Sequence, residues 1–472
     1  MRIEHDFLGD MELPDSVYYG IQTQRAINNF SITGHKINRD LIIALAIIKI
    51  AAAKANIKTG QLPRDVGMAI IDSATEIIND KWHDQFLVDC IQGGAGTSIN
   101  MNANEVIANI AIEKLGREKG NYTIVSPNNH VNMAQSTNDV IPTAIRIAII
   151  CKTNKLIKEI SNLRMSLQSK AEEFSKVLKM GRTHLQDAVP ITLGQEFCAY
   201  ASAVNRACER VKTSVNKLYS INMGATAVGT GLNAEPEYIK EVVRQISLLT
   251  GMNFVSSSNL VDATQNTDEL AEFSSSLKIC ALTLSKIAND LRLMASGPKC
   301  GFNEIFLPAV QPGSSIMPGK INPVVPEVVN QVAFQVCGND LTVSLAVEAG
   351  QFELNVMEPV IVYNLFNSIE ILTNAIHALN FNCIVSIKPN LGRCQEMVDN
   401  SIGIITAITP HIGYEKACAI SRESLASGMP IKKLIIDQSI IPIEHLEVIL
   451  SPEEMTKPGI AGKQFLSLGK AR

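Results

Sequence analysis

Four short segments of this sequence hold more glycines, hydroxyls and amides than packing alone calls for, and each borders a long helical pattern. The first is Gln92-Gly93-Gly94-Ala95-Gly96-Thr97-Ser98-Ile99-Asn100-Met101-Asn102-Ala103-Asn104-Glu105. Its glycines let a backbone approach a ligand and offer N–H groups. It also reads as a turn that caps a helix beginning near Asn104. The second runs from Asn128 through His130, Asn132, Gln135, Ser136, Thr137, Asn138 and Asp139 to Pro142. Asp139 or Asn138 suits the cap of a long helix, with Pro142 tolerated in its first turn. The free N–H groups of such a helix start attract an anion, and Ser136, Thr137 and Asn138 stand beside them.

The third segment, Gly181 to Pro190, links two long helical stretches and sets Thr183 beside His184. A histidine there can donate to a carboxylate and respond to pH. The fourth is Gly313-Ser314-Ser315-Ile316-Met317-Pro318-Gly319-Lys320-Ile321-Asn322-Pro323. Its glycines and serines predict a mobile loop. Asn322 reads as the cap of the following helix and Pro323 as its first residue. Lys320 is the cation placed to meet a carboxylate at that helix start, and Glu327 lies one turn further in, placed to face a neighbouring histidine. Clustered cysteines, an HExxH pair and a carboxylate trio are all missing, so a catalytic metal is not expected. Hydroxyls, amides, Lys320, His130 and His184 suit a small carboxylate-bearing substrate. A phosphate would recruit more arginines.

These segments need rigid supports. No proline falls between Pro142 and Pro190, between Pro190 and Pro236, or between Pro236 and Pro298, and no glycine occurs from Asn121 to Met180. Leu156, Ile160, Leu163 and Leu167 step by four, three and four along one helical face. Helices are predicted over residues 39–58, 65–80, 140–177, 191–220, 265–296 and 324–382, the last bent or broken near Pro359. Rods of this length bury their faces against one another, which predicts a mostly α fold built on a bundle, with more partners than one chain supplies. Residues 1–38 read as loops and turns. From Lys388 onward, Pro410, Gly428, Pro430, Pro442 and Pro452 separate shorter elements. Three regions follow: an N-terminal helical domain over 1–138, a central long-helix domain over 139–388, and a small helical C-terminal domain over 389–472.

The composition narrows the function. In 472 residues, 42 basic side chains nearly balance 46 acidic ones, and aromatics are 5%, so neither a basic footprint nor a stacking platform for nucleic acid is present. Val228-Gly229-Thr230-Gly231 lacks the third glycine of a dinucleotide fingerprint. Ten cysteines without a CxxC pair read as reduced, small buried hydrophobes. The polar N-terminus has no signal-like core, and the apolar run Leu41 to Ala53 is short and interrupted by Lys49. A cytoplasmic protein with neither membrane nor nucleic-acid partner is expected.

The loop Gly313-Ser-Ser-Ile-Met-Pro-Gly-Lys-Ile-Asn322 resembles the signature of the fumarase/aspartase superfamily, and the other three segments match it in order. The resemblance runs roughly from Arg2 to Lys463. Gln92-Gly-Gly-Ala-Gly-Thr-Ser98, Ser136-Thr137-Asn138 and Pro323-Val-Val-Pro-Glu327 look like the aspartases, whereas Thr183-His184 is similar to both branches. The resemblance implies a homotetramer with a twenty-helix core and active sites shared among three subunits. It implies anti elimination of ammonia from L-aspartate, giving fumarate through an aci-carboxylate intermediate; the alternative is a fumarate hydratase interconverting fumarate and L-malate. By the same resemblance Ser314 is the general base. Thr97, Ser136, Thr137 and Ser315 hold the β-carboxylate, and Thr183, Lys320 and Asn322 the α-carboxylate. Asn138 and His184 orient the amino group, His184 and Lys320 join Ser314 as catalytic residues, and Glu327 supports the site. No cofactor is required, and activation by a divalent cation stays open.

Overall fold

The long helical patterns fold as helices, with one of them divided in two. In the computed structural model, which describes residues 1–466, helices of 25–37 residues span Thr137–Glu173, Leu193–Lys217, Asp268–Met294, Val324–Glu348 and Glu358–Asn382. The stripe Leu156, Ile160, Leu163 and Leu167 is at most 1% exposed. The expected 324–382 helix is two helices. The first ends at Glu348, Gln351 pairs with Leu354 in a turn, and the second starts at Glu358. The break thus falls just before Pro359. The proline lies in the first turn of the second helix, where its missing N–H has no helical partner to lose.

The chain forms two compact units, residues 1–158, 209–281 and 334–373 in one, and 159–208, 282–333 and those from Asn374 onward in the other. Each of the five passages between them falls inside one of the five long helices. In the first unit, residues 1–38 are more ordered than loops and turns. An antiparallel hairpin pairs Arg2–Asp6 with Gly9–Leu13, and Ile21–Asn29 is helical. The Arg39–Lys58 helix is buried on most of its surface, packed on Arg64–Ile78 and Pro236–Thr250. This is the all-round apolar pattern of a core helix.

In the second unit, the segment expected to be a plain linker is a hairpin, Leu178–Thr183 paired with Gln186–Thr192. Short C-terminal helices pack Val398, Ile404, Ile408, Leu434 and Leu446 onto Leu178 and Met180. Pro430, Pro442 and Pro452 open helices, and Gly428 ends one at φ +70°. Pro410 separates nothing; it lies within Ile405–Ile412. Residues 467–472 of the expected C-terminal domain lie outside the described residues. Of the ten cysteines expected to be small buried hydrophobes, four are buried, Cys208, Cys280, Cys383 and Cys394. Among the described residues no helix is long and apolar enough to cross a membrane.

Candidate active site

In the first unit two helix starts meet. The first begins at Thr97, seven residues before the expected position near Asn104. The glycine turn makes this early start feasible. Ala95 and Gly96 take φ of 55° and 87°, and a Cβ on Gly96 would press on Ile141 at 3.1 Å. Asn100, Asn102 and Asn104 are consequently buried helix residues and not loop amides. Thr97 remains exposed at the helix tip, its Oγ1 donating to Gly94 O at 2.7 Å.

The second helix starts at Thr137, and Ser136 is its cap in place of Asn138 or Asp139. Ser136 Oγ accepts from Asn138 N at 3.2 Å, and Asp139 Oδ1 accepts from Ser136 N at 2.9 Å, a reciprocal capping box. The other Asp139 oxygen accepts from Gly224 N and Thr226 N at 3.1 and 3.0 Å. Asn138 Nδ2 donates to Ala227 O at 2.7 Å. Asp139 thus ties the polar start of the helix to a turn 85 residues away.

Beneath this surface lies Lys49, fully buried. Its Nζ donates to Asn100 Oδ1 and Gln135 Oε1 at 2.8 Å and to Asn132 Oδ1 at 3.1 Å. Burial pulls the ammonium down to about 7, against the attraction of Asp139. Burial pushes the Asp139 carboxyl up to about 7, against N–H donors from Ser136, Thr226 and Gly224 and the charge of Lys49. Lys49 and Asn100 were not among the expected site residues, although a lone lysine within the apolar run Leu41 to Ala53 was a visible signal. His130 has a local role: in a π-helical turn over Pro127–Val131, its Nδ1 accepts from Ser126 N at 2.9 Å, and burial lowers its pKa.

The second unit carries the other candidates. Thr183 ends one hairpin strand, and His184 and Leu185 form the two-residue turn with φ of 54° and 61°. Left-handed backbone at both turn positions matches the strand twist but ordinarily selects Asn-Gly. His184 and Thr183 are exposed. The hairpin root is fixed by charge: Arg182 meets buried Glu304 at 2.9 Å, and Lys179 bridges Glu304 and Glu196 at 3.1 and 2.8 Å.

The Gly313–Asn322 loop closes on itself. Gly313 N donates to Lys320 O at 2.8 Å, and Asn322 Nδ2 donates to Gly313 O at 2.6 Å. Asn322 is therefore a clasp and not a helix cap. Pro323 holds the cap position, its carbonyl accepting from Glu327 N at 3.2 Å before the Val324–Glu348 helix. Ser314 Oγ accepts from Ile316 N at 3.2 Å and Met317 N at 3.0 Å. Two aimed N–H groups favour a negatively charged oxygen, as a serine base requires. Ser315 and Lys320 are exposed. Lys320 and Asn322 line a cavity of about 870 Å³ together with Arg292, Asn289 and Asn303. Among the described residues the histidine–carboxylate pairs are His5–Asp10, His83–Asp80 and His377–Glu159, so Glu327 has no histidine against it within its own chain.

The lyase family pattern matches residues 9–338, and the fumarase C C-terminus pattern matches residues 404–457. An aspartate ammonia-lyase of Bacillus sp is 58% identical, with 98% of this chain and 99% of that protein covered. Among solved structures, a fumarate lyase:delta crystallin from Brucella melitensis superposes with a TM-score of 0.95 at 46% identity, covering 97% of this chain and 100% of the other. A class II fumarase from Schistosoma mansoni gives 0.93 at 34% identity, covering 97% and 99%. The chain belongs to the fumarase/aspartase superfamily of lyases.

Proposed function

We propose that this chain is a carbon–nitrogen lyase that eliminates ammonia from L-aspartate to give fumarate, reversibly. The observation that carries the mechanism is the pair of backbone N–H groups aimed at Ser314 Oγ. A free serine is too weak a base for a carbon acid, and these donors stabilise its alkoxide. Ser314 removes the proton from the carbon beside the β-carboxylate. The electron pair moves onto that carboxylate as the aci-carboxylate, and its collapse expels ammonia from the neighbouring carbon. Thr97, Ser136, Thr137 and Ser315 donate to the β-carboxylate as charge accumulates there. Thr183, Lys320 and Asn322 hold the α-carboxylate, and Asn138 and His184 orient the amine. Glu327 supports the loop's helix. The steps call on side chains and backbone alone, so no cofactor is assigned.

The relatives named aspartate ammonia-lyase favour this reading over a fumarate hydratase, since they are 47–58% identical over nearly the whole chain. We further propose a cytoplasmic homotetramer whose sites are completed between subunits. Phe334, Leu341 and Leu345 are 68%, 61% and 62% exposed, and their spacing of seven and four forms one apolar stripe on the Val324–Glu348 helix. The decisive experiment follows the ultraviolet absorbance of fumarate with L-aspartate or L-malate offered separately. The expected outcome is fumarate and equimolar ammonium from L-aspartate alone. Fumarate from L-malate alone would overturn the assignment in favour of the hydratase.

A further inference from the structure

A buried ammonium costs several kcal/mol unless its protons are matched by acceptors. Lys49 is 0% exposed, and three amide oxygens surround its Nζ, from Asn100, Gln135 and Asn132. A cation admits only the oxygen face of an amide, so it fixes which way each of these side chains points. For Asn100 the consequence reaches the surface. With Oδ1 turned to Lys49, Nδ2 is turned toward Asn132 Oδ1 at 3.1 Å and Thr137 Oγ1 at 3.4 Å. A hydroxyl that accepts from an amide keeps its own proton for another acceptor. Without that amide the same hydroxyl is free to rotate and present a lone pair to an incoming anion, which repels it.

We propose that Lys49 is a positioning residue for this site: its buried charge orients the Asn100 amide, and the amide makes the Thr137 hydroxyl a donor to the substrate carboxylate. This rests on the placement of Thr137 against the β-carboxylate given above. Donors therefore run in one direction from Lys49 through Asn100 and Thr137 to the substrate. The ammonium itself stays out of water and never touches the reacting atoms. A lysine with only a packing role would support the turn around Asn132 and Gln135 without regard to the threonine hydroxyl.

A kinetic cycle on the assembled enzyme separates the two. Lys49→Met, Thr137→Val and the double variant are assayed with L-aspartate. Thr137→Val is expected to lower kcat/KM about fivefold, the worth of one hydrogen bond. Lys49→Met is expected to lower it by a similar factor, and the double variant to be no worse than Thr137→Val alone. If the two factors multiply, the relay through Thr137 is overturned. A Thr137→Val enzyme with unchanged kinetics would overturn the placement of Thr137 itself, and the relay with it. Should Lys49→Met fail to assemble, Asn100→Leu takes its place in the cycle, because it cuts the relay and leaves Lys49 bonded to Gln135 and Asn132. The same criterion applies: non-multiplying factors support the relay and multiplying factors overturn it.

Discussion

The Asn222 side chain supplies the donor that Pro142 cannot. Proline has no N–H for the carbonyl four residues earlier, here Asn138 O, and Asn222 Nδ2 donates to that oxygen at 2.9 Å. The helix beginning at Thr137 thereby keeps its first turn despite an internal proline, and Asn138 stays beside Ser136 and Thr137. Asn222 is buried and also donates to Thr264 Oγ1 at 3.1 Å. An Asn222→Leu variant leaves a buried carbonyl unpaired, at a cost of about 1–3 kcal/mol. Thermal melting should register it as a drop of several degrees. Adding Pro142→Ala should recover part of the loss, since alanine restores the missing N–H. A double variant no more stable than Asn222→Leu would show that the Asn138 carbonyl is not what Asn222 serves.

Ser314 gives a second prediction. Among the described residues its Oγ bonds only to N–H groups of its own loop, from Ile316 and Met317, so Ser314→Ala removes the proposed base and little packing. Turnover of L-aspartate should fall by about 10²–10⁴-fold, with KM changed only a few-fold and the melting temperature kept. A KM rise at unchanged kcat would make Ser314 a binding hydroxyl and move the base elsewhere.

The third prediction concerns acid. Asp89 accepts from Ile32 N, Thr33 N, Gly34 N, Thr33 Oγ1 and Ile91 N, and so ties residues 32–34 to the chain ahead of the glycine turn. Burial alone raises its pKa, but the bonds from Ile91, Thr33 and Gly34 outweigh it and bring the carboxyl from 3.8 to about 2. A carboxyl depressed on folding stabilises the fold fully above its unfolded pKa, and that stability is lost as pH falls through the folded value. Asp89→Asn should therefore be less stable than the parent at pH 6, and the gap in urea midpoint should close between about pH 4 and pH 2. A gap that does not change with pH would assign the difference to shape and not to charge.

Much of this architecture could be read from spacing. The 39–58 helix ends where its pattern ends, and the Leu156-to-Leu167 stripe is buried because a helical period admits only one such face. What escaped was structure set by tertiary partners. The Leu178–Thr192 hairpin lacks an Asn-Gly turn, and its strands are held by Glu304, 122 positions from Arg182, and by Glu196 in the helix that follows. The polar run after Thr97 read as loop because buried asparagines look like exposed ones until their partners are known; Asn100, Asn102 and Asn104 bond across to Asn132 and Gln85. Asn322 read as a cap for the same reason, since its type fits and only Gly313 O reveals its use. The site hydroxyls themselves were legible because motifs are local. Lys49 was not assigned to the site, because its role depends on residues 51 to 86 positions away.

That dependence makes the hairpin a sharp test of how accurately the site must be placed. Thr183 and His184 sit at a tip whose two turn residues are both left-handed, so the tip follows wherever the strands are held. Gly403 presses on the strand that leaves it: a Cβ there would stand 2.1 Å from Ala188 O and 2.3 Å from Met180 Cε. The methionine can swing aside, but the carbonyl belongs to the backbone and must move with its strand. Gly403→Ala should therefore displace the tip while every proposed site residue keeps its identity. Displacement of about 1 Å can cost about 10²-fold in rate. A fall of that order in kcat/KM for L-aspartate is expected, with a melting temperature several degrees lower. Lower stability with unchanged kcat/KM would mean that the hairpin tip does not position the substrate, and would remove Thr183 and His184 from the proposed site together.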